Sequence, residues 1–364
     1  MNYYHSKIRL NGREVGIDDI LSEKTDAKTE FESSTFRFIR LWHSENDHFS
    51  IHTSGSTGTP KEIIIRRHQM EASASATIKA LGLSQDDTAL VCLDTNFIAG
   101  KMMLVRSFVA GMRIVAEDPS SNPFANIGDN RISFTAWVPL QLEEVLKSGE
   151  KNRLNFIRNV LVGGAAVSPE TIHRISEMDC NIIATYGMTE TISHIALRRL
   201  NGKARQDHFE TLPGVTVESD ARGCLIINAF YLDQPLVTND LVQVVSQTEF
   251  LWLGRYDNVI NSGGIKLSPE VIEQMLEPLK PTINLHGRFI ISAVNDLRLG
   301  ERLVLVIEGS AKDTGRAPQQ LEYLRTRLPK FHAPTQIVHL AAFPETKTGK
   351  INRTAIKIML NSQA

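Results

Sequence analysis

Short apolar runs alternate with longer amphipathic segments through the first two thirds of the chain. Runs such as "TALVCLD" and "RNVLVGG" have the length and β-branched composition of buried strands, whereas "PLQLEEVLKS" and "SPETIHRISEM" have the apolar spacing of helices. Strands that alternate with helices in this way are typical of parallel βαβ units. The pattern therefore predicts an α/β fold for this part of the chain.

The pattern changes from about Gly214, where one strand-like run follows another without helices between them. This change predicts an antiparallel β region added to the α/β body. A polar, glycine-containing segment at residues 254–264 is followed by a helix, two strands, another helix and a Pro/Thr/Lys-rich tail. We therefore expect a large N-terminal domain at residues 1–255 and a small, mobile α+β domain at residues 256–364.

Composition describes an ordinary globular protein and excludes some partners. The 364 residues are 42% hydrophobic and 22% charged, with a formal net charge of -1, so no overall field attracts nucleic acid or an anionic membrane. No apolar run is long enough to cross a bilayer, and the first residues do not resemble a signal peptide. A cytoplasmic location is expected, with small molecules as partners. Cys92, Cys180 and Cys224 lack metal-ligand spacing and are predicted to be buried thiols.

The stretch "HTSGSTGTPK" at His52–Lys61 joins two predicted strands, "FSIHT" and "EIIIR". Its glycine spacing, and the proline before Lys61, exclude the nucleotide-binding P-loop that opens a helix. Glycines still allow backbone N–H groups to converge on an anion, and hydroxyl groups and a lysine add donors and charge. Taken alone, the stretch is equally consistent with a solvated loop. The candidate phosphate-binding residues are Thr53, Ser54, Gly55, Ser56, Thr57, Gly58 and Lys61.

Four further motifs follow this loop in order. They are "YGMTE" at Tyr186–Glu190, "TND" at Thr238–Asp240, "GRYDNVINSGGIKLSPEVIE" at Gly254–Glu273 and "TKTGKINR" at Thr346–Arg353. Together with the loop they resemble the motifs of the adenylate-forming enzymes, which include acyl-CoA synthetases, luciferases and peptide-synthetase adenylation domains. The resemblance extends from about Phe49 to the end of the chain.

This resemblance implies a reaction in two steps. A carboxylate attacks the α-phosphate of ATP to give an acyl-adenylate and pyrophosphate, and a thiol, usually that of CoA, then displaces AMP. It therefore implies ATP, Mg²⁺ and CoA as cofactors or co-substrates. Both steps pass through highly charged transition states, in which cations and oriented donors dominate catalysis.

The resemblance also assigns catalytic roles. Glu190 would bind Mg²⁺, a hard cation that prefers oxygen ligands, and Thr189 would donate to a phosphate from the same turn. Lys350 would bridge the attacking carboxylate and the α-phosphate. Asp257 matches the hinge position, where backbone rotation would move the C-terminal domain between two catalytic poses.

A second set of residues would bind the nucleotide. Tyr186 would stack on adenine, with Gly187 beside it, and Asp240 would accept hydrogen bonds from the ribose hydroxyls with support from Arg255. The resemblance departs from the family at Asn239, where glycine is usual, and we expect a turn there because asparagine tolerates the left-handed conformation. The adenine loop would contain Gly164, Ala165 and Ala166. Seen alone, each of these residues is also consistent with ordinary packing or turn formation.

Two stretches resemble the acyl pocket of the family, "CLDTNFIAGKMMLVRSFVAG" and "TISHIALRR". Asn96 replaces part of an aromatic-His pair that many relatives carry, and Lys101 and Arg106 supply charges that a fatty-acid pocket would not need. For any single cation, a position on the solvent face of its helix remains the alternative. The candidate pocket residues are Asn96, Gly100, Arg106, Met188 and His194.

Within the family, the short segment before Thr53 and the stretch "GMTETISHIALR" are most similar to compact o-succinylbenzoate–CoA ligases of menaquinone biosynthesis. This resemblance implies that the aliphatic carboxylate is activated while a cation such as Arg106 recognises the aromatic one. Three alternatives stay open: a CoA ligase for another aromatic or dicarboxylic acid, an enzyme that loads a carrier-protein thiol, and a non-catalytic relative.

We expect Lys350→Ala to abolish acyl-adenylate formation, because the cation that would bridge the attacking carboxylate and the α-phosphate would be lost. Pyrophosphate release in the presence of the acid and ATP measures this step. Lys347→Ala, in the same segment, is the matched control and should retain activity. An Lys350→Ala variant that forms adenylate at the wild-type rate would contradict the assignment.

Overall fold

The computed structural model describes residues 5–52, 62–128, 130–309, 317–346 and 351–362. The chain divides into two compact units. The first contains Met1–Glu218, Ile227–Leu236 and Val245–Phe250, and the second contains Ser219–Ile226, Val237–Val244 and Leu251–Ala364. The predicted domain boundary near residue 256 stays a prediction, since the segments of the two units interleave between residues 219 and 250.

The described part of the chain contains strands and helices in the order that the sequence pattern predicts for its α/β body. The strands are β1 (Lys7–Leu10), β2 (Arg13–Gly16), β3 (His48–His52), β4 (Glu62–Arg66), β5 (Thr88–Val91), β6 (Arg113–Ala116), β7 (Phe134–Trp137), β8 (Asn159–Val162), β9 (Asn181–Gly187), β10 (His194–Arg199), β11 (Phe209–Thr211), β12 (Val215–Ser219), β13 (Cys224–Ala229), β14 (Leu236–Ser246), β15 (Glu249–Arg255), β16 (Ile260–Ser262), β17 (Ile265–Leu267), β18 (Phe289–Asp296), β19 (Gly300–Glu308) and β20 (Gln336–Leu340). The helices are α1 (Ile17–Leu21), α2 (Glu30–His43), α3 (Arg67–Leu81), α4 (Ile98–Ala110), α5 (Pro139–Lys147), α6 (Pro169–Ile175), α7 (Pro269–Leu276), α8 (Ala317–Arg327) and α9 (Arg353–Ser362).

The centre of the large sheet is parallel. Strands β6, β5, β7, β8 and β9 are neighbours in that order and all run in the same direction. Strand β10 then pairs antiparallel with β9, and β11 pairs antiparallel with both β10 and β15, so the antiparallel region begins before the predicted start at Gly214. The predicted α/β fold is confirmed. Because the carboxyl ends of parallel strands meet at one edge, the loops after β5, β7, β8 and β9 all lie at that edge.

Two features at the start of the chain did not follow from the hydrophobic pattern. The β1–β2 hairpin extends the sheet, since β1 pairs in parallel with β6. Helix α2 begins at an N-cap threonine, Thr29, whose side chain accepts from the Glu32 backbone N–H. This helix buries Phe36 and Trp42 completely. Burial of these aromatic rings, rather than helix propensity, stabilises α2 in place.

Strands β3 and β4 form a separate two-stranded antiparallel sheet. They are the two strands predicted on either side of the candidate phosphate loop. Residues 53–61 lie outside the described residues, so the predicted roles of Thr53 to Lys61 stay predictions.

The second unit has an α+β core built on β18 and β19. Alternate residues of β18 face opposite sides of the sheet, so that Ile291 and Ala293 pack with α7 and α8 while Ile290 and Val294 pack with α9. The segment predicted as a polar loop after Arg255 is instead the hairpin β16–β17. Its turn contains two glycines with positive φ, Gly263 at 61° and Gly264 at 83°.

Two other expectations concern the burial of the cysteines and the length of apolar helices. Cys92, Cys180 and Cys224 are free and buried, as predicted. Among the described residues, no helix is both long enough and apolar enough to cross a membrane.

The buried carboxylate of Glu32 anchors the first hairpin to α2. It is 1% exposed, pairs with Arg13, and accepts from Asn11 Nδ2 at 2.9 Å and from the Lys28 backbone N–H at 2.6 Å. Burial alone would raise the pKa of Glu32, but these hydrogen bonds and the Arg13 charge lower it below its usual value.

We expect Glu32→Gln to lower the free energy of unfolding by about 3 kcal/mol at pH 7, because the charge of Arg13 loses its partner. Since the folded-state pKa of Glu32 is lowered, its contribution is complete above the unfolded pKa and is lost as the pH falls through the folded pKa. The difference between wild type and variant in denaturant titrations should therefore shrink in acid. A difference that does not change between pH 7 and acid would contradict this role for the charge.

Candidate active site

The predicted adenine loop and the "YGMTE" motif lie side by side at the carboxyl edge of the parallel sheet. Strands β8 and β9 are parallel neighbours, and residues 163–166 follow β8 while residues 188–190 follow β9. A Cβ at Gly163 would lie 2.3 Å from Thr185 Oγ1, so only glycine allows this close approach of the loop to β9. Gly164 has a φ of 87°, a conformation that glycine adopts readily. Gly164, Ala165 and Ala166 are exposed at this edge.

Tyr186 is half-buried near the end of β9 and belongs to an aromatic cluster. Its ring centroid lies 5.1 Å from that of Phe250 in an edge-to-face arrangement and 5.7 Å from that of Phe209. This packing fixes the position of the ring. Stacking on adenine stays a prediction, as does the role of the exposed Gly187.

A short, strained turn connects β9 to β10. The Met188 backbone N–H donates to Thr191 Oγ1 at 3.0 Å, and that hydroxyl lies 2.7 Å from the Ser193 carbonyl oxygen. Ile192 has a φ of 69°, which is unfavourable for a β-branched residue and costs about 1–3 kcal/mol. Ile192 is nevertheless 2% exposed, so its buried side chain stabilises the strained backbone.

This turn presents Thr189 and Glu190 at the carboxyl edge. Glu190 is exposed, and among the described residues no group of three or more His, Cys, Asp or Glu side chains could form a metal centre. Mg²⁺ commonly takes one or two protein carboxylates together with phosphate oxygens and water. A single exposed carboxylate therefore fits Mg²⁺ that arrives with a nucleotide, and the ion would supply charge neutralisation at the phosphates.

Asp240 and Arg255, the predicted ribose-binding pair, are neighbours in the second unit. Asp240 is 5% exposed, and its Oδ1 lies 3.5 Å from Arg255 Nη1 and accepts from Trp252 Nε1 at 3.3 Å. The charge of Arg255 and the indole N–H hold the carboxylate in one orientation. Trp252 was not predicted from the sequence, because an aromatic residue in a strand is more often only packing.

The predicted turn at Asn239 is wrong. Asn239 lies inside the continuous strand β14 and does not have a positive φ. Its side chain accepts from Arg222 Nη1 at 3.1 Å and donates to the two carboxylate oxygens of Asp257 at 3.2 and 3.3 Å. Asp257 also accepts from Arg255 Nη2 at 3.0 Å. At position 239, asparagine therefore makes side-chain contacts that glycine could not make. The hinge role of Asp257 stays a prediction.

Arg106 is a buried cation on α4. It is 2% exposed, its Nη2 donates to Ser193 Oγ at 2.7 Å, and its Nε has no hydrogen-bond partner in the part of the chain that the structure describes. No acidic side chain among the described residues forms an ion pair with it. Burial lowers the pKa of Arg106 to about 10, so the side chain keeps its charge at neutral pH. For Arg106 the alternative of a solvent-facing position is wrong.

His194 lies against Arg106. Its Nδ1 is 3.4 Å from Arg106 Nη2, and its Nε2 is 3.0 Å from Thr77 Oγ1. Burial first, and then the charge of Arg106, lower the pKa of His194 well below its usual value, so the ring is neutral at pH 7. The structure thus brings together two residues that the sequence placed in the pocket from separate motifs.

Polar groups of α3 and of the segment after β13 complete this cluster. Ser73 Oγ and Tyr231 Oη are buried close to each other and have no other hydrogen-bond partner among the described residues. Gln69 Nε2 donates to the Tyr231 carbonyl oxygen at 2.9 Å. Sequence reasoning missed Ser73, Thr77 and Tyr231. The four-residue spacing of Gln69, Ser73 and Thr77 was the available signal, since it places three polar side chains on one helix face.

Other predicted pocket residues lie at the first turn of α4. Lys101 Nζ donates to the Asn96 carbonyl oxygen at 2.6 Å, and Arg37 Nη2 donates to Asn96 Oδ1 at 2.9 Å. Gly100 is packed so that a Cβ would lie 2.4 Å from the Asp94 carbonyl oxygen. Burial lowers the pKa of Lys101 to about 8. Positions 101 and 106 point to different faces of an α-helix, so Lys101 and Arg106 do not form one cluster.

Lys350 lies outside the described residues, and its catalytic role stays a prediction. The chain on either side of it is held together, because the Asn352 backbone N–H donates to the Pro344 carbonyl oxygen at 2.8 Å. Arg353, which follows Asn352, donates from Nη1 to Glu273 Oε1 at 2.8 Å.

Comparison with known proteins identifies the family of this fold and site. The model of a family described as "AMP-binding enzyme" matches residues 12–218, more than half of the chain. The chain belongs to the AMP-binding enzyme family. The predicted recognition of an adenylate-forming enzyme is therefore confirmed.

Three relatives illustrate this membership of the AMP-binding enzymes. A solved acyl-CoA synthetase (AMP-forming)/AMP-acid ligase II-like protein from Dyadobacter fermentans is 35% identical, with a TM-score of 0.63 over 94% of this chain and 97% of that one. A 2-succinylbenzoate–CoA ligase from Listeria monocytogenes is 25% identical over 93% of this chain and 75% of its own. The o-succinylbenzoate coenzyme A synthetase from Bacillus subtilis, solved with ATP and magnesium, shares the fold at 21% identity and a TM-score of 0.70, over 85% and 69% of the two chains.

We expect Gly187→Ala to damage both stability and acid activation in this AMP-binding enzyme. A Cβ at residue 187 would lie 2.3 Å from the Ser193 carbonyl oxygen and 2.4 Å from His194 Cα, so the turn would have to move. Overpacking of this kind lowers the free energy of unfolding by about 1–3 kcal/mol. Thermal unfolding and the KM for the acid measure the two effects. Gly149→Ala is the control, since nothing lies within 4 Å of its added Cβ, and equal behaviour of the two variants would contradict the prediction.

Proposed function

We propose that the protein activates the aliphatic carboxylate of o-succinylbenzoate with ATP and transfers the acyl group to CoA, forming o-succinylbenzoyl-CoA for menaquinone biosynthesis. The carboxylate oxygen bonds to the α-phosphorus as pyrophosphate leaves, and the CoA sulfur then bonds to the acyl carbon as AMP leaves. Membership of the AMP-binding enzymes supports the first step. The relative from Listeria monocytogenes supports the choice of acid and thiol.

The buried charge of Arg106 is the observation that carries the choice of acid. An uncompensated buried cation is costly, and proteins ordinarily pair it with an anion. A pocket for an acid with only one carboxylate would not need such a charge, because the reacting carboxylate is directed at the nucleotide. A second carboxylate on the substrate would supply the missing anion. We assign the aromatic carboxylate of o-succinylbenzoate to Arg106.

The surroundings of Arg106 fit a carboxylate. Its buried Nε has no hydrogen-bond partner among the described residues, and the buried hydroxyl groups of Ser73 and Tyr231 have only each other. The Tyr231 hydroxyl is close enough to feel the charge of Arg106, although burial, the larger effect, raises its pKa to about 12. Tyr231 is therefore a neutral hydroxyl that can donate a hydrogen bond. A planar guanidinium with hydroxyl donors beside it matches carboxylate geometry.

The nucleotide would lie at the carboxyl edge of the sheet. Gly164, Ala165, Ala166 and Tyr186 would contact adenine, Thr189 would donate to phosphate, and Glu190 would hold Mg²⁺. Asp240 would accept from the ribose hydroxyls, with its orientation fixed by Arg255 and Trp252. Thr53 to Lys61 would bind the leaving pyrophosphate and Lys350 would stabilise the charge at the α-phosphate. The proposal includes a cytoplasmic location, where ATP and CoA are available.

A comparison of two acids tests the proposal. We expect AMP-forming turnover with o-succinylbenzoate, and a much higher KM for 4-oxo-4-phenylbutanoate, which lacks the ring carboxylate. Arg106→Leu should lower kcat/KM for o-succinylbenzoate by about a hundredfold and leave the other acid nearly unchanged, since only the first acid contacts the charge. Removing a buried unpaired charge should not lower the melting temperature.

Lys101→Met is the matched control, since it removes a cation from the same helix without touching the Arg106 cluster. The proposal fails if the enzyme does not discriminate between the two acids, or if Lys101→Met and not Arg106→Leu removes the discrimination. Good turnover of a different acid in a pyrophosphate-release panel would identify a CoA ligase of another specificity. Activity with a phosphopantetheinylated carrier protein but not with free CoA would replace the thiol in the proposal.

A further inference from the structure

The hydrogen bonds around Arg106 determine which part of its guanidinium can meet a ligand. Nη2 carries two hydrogens, and it has two acceptors, Ser193 Oγ at 2.7 Å and His194 Nδ1 at 3.4 Å. A guanidinium nitrogen donates only, so His194 Nδ1 must accept through its lone pair. Both donors of Nη2 are therefore engaged within the protein, whereas the buried Nε has no acceptor among the residues that the structure describes.

The same bonds define the tautomer of His194. If Nδ1 accepts, the ring proton of neutral histidine lies on Nε2 and donates to Thr77 Oγ1, 3.0 Å away. Thr77 can then use its own hydrogen to donate to the Ser73 carbonyl oxygen at 3.2 Å. Each hydrogen bond in the series from Arg106 through His194 and Thr77 to Ser73 thus has one donor and one acceptor. The low pKa of His194 agrees with a neutral ring.

Rigid elements hold the histidine from two sides. Thr77 lies inside α3, and His194 follows the strained turn at Ile192. The close approach of Gly187 to Ser193 and His194 leaves no room for the turn to shift. His194 therefore offers Arg106 a fixed acceptor.

The absence of charge on His194 matters as much as its position. An aspartate or glutamate here would orient Arg106 equally well, but it would also neutralise the guanidinium and compete with an incoming carboxylate. A neutral acceptor orients the cation and leaves its charge uncompensated.

We propose that His194 is a positioning residue for substrate selection: it fixes the Arg106 guanidinium through a neutral hydrogen bond, so that the Nε edge and the full positive charge are available to the second carboxylate of the acid. This inference rests on the proposed function, because it takes an acid with two carboxylates as the substrate.

Three substitutions of His194 separate position from charge. His194→Asn can place an amide oxygen near the position of Nδ1 and keeps the site neutral. The aspartate of His194→Asp has the same size as asparagine but adds a negative charge. His194→Leu removes the acceptor. We expect the KM for o-succinylbenzoate to rise about tenfold in His194→Leu and about a hundredfold in His194→Asp, and His194→Asn to recover most of the wild-type value.

The KM for 4-oxo-4-phenylbutanoate should be nearly the same in all three variants, because that acid does not contact Arg106. A purely structural role of His194 would instead raise the KM for both acids together, or make Asn and Asp equivalent, and either result would overturn the proposal. His43→Asn is the control, since His43 lies in the same unit, is half-buried, and donates from Nδ1 to the Ile39 carbonyl oxygen at 2.7 Å instead of accepting from Arg106.

A measurement without substrate separates this inference from the proposed function. In protein labelled with ¹⁵N-histidine, the resonances that disappear in His194→Asn should show a protonated Nε2 and an unprotonated Nδ1 at pH 7. A protonated Nδ1 would overturn the inference whatever the substrate. If wild type does not discriminate between the two acids, the proposed function fails. The measured tautomer of His194 then remains as the test of the His194–Arg106 hydrogen bond.

Discussion

A positive charge buried without an acidic partner among the described residues is the constraint on which the proposed acyl pocket depends. Helix α4 places Arg106 in the first unit at 2% exposure, and no described residue accepts a hydrogen bond from its Nε. Such a charge destabilises the empty protein, and hydrogen bonds to neutral groups offset only part of that cost. Ser193 and His194 supply these bonds. The arrangement is therefore better suited to binding an anion than to stabilising the fold.

The β9–β10 turn connects this charge to the nucleotide side of the site. Thr189 and Glu190 lie at its start, and Ser193 and His194 lie at its end. Its strain at Ile192 is sustained by burial, by the hydrogen bonds of Thr191, and by the lack of a side chain at Gly187. Because the turn is short and held by several independent contacts, it fixes the positions of both groups of residues relative to each other. In the proposed function, recognition of the acid and placement of the phosphates would therefore depend on the same few peptide units.

The pattern of the sequence predicted much of this, and its errors have physical reasons. The alternation of strands and helices predicted the parallel sheet, and motif order predicted the family. Asn239 was expected in a turn by analogy with the usual glycine, but the strand β14 continues through it because its side chain bonds Arg222 and Asp257. Ser73, Thr77 and Tyr231 were missed because hydroxyl residues on a helix or in a connecting segment are ordinarily solvated. Their burial depends on partners far away in the chain.

The sequence by itself determined the fold class and the family, because periodicity and local motifs are properties of short segments. It also predicted a phosphate loop at residues 53–61 and a catalytic role for Lys350. It also named Arg106 and His194, but as separate candidates with solvent exposure as the alternative. Only the tertiary structure decided that they touch, that the histidine is neutral, and that no carboxylate among the described residues compensates the arginine. The charge compensation of Arg106 and the tautomer of His194 depend on groups from α3, α4 and β10. These groups are distant in the sequence and come into contact only in the folded protein.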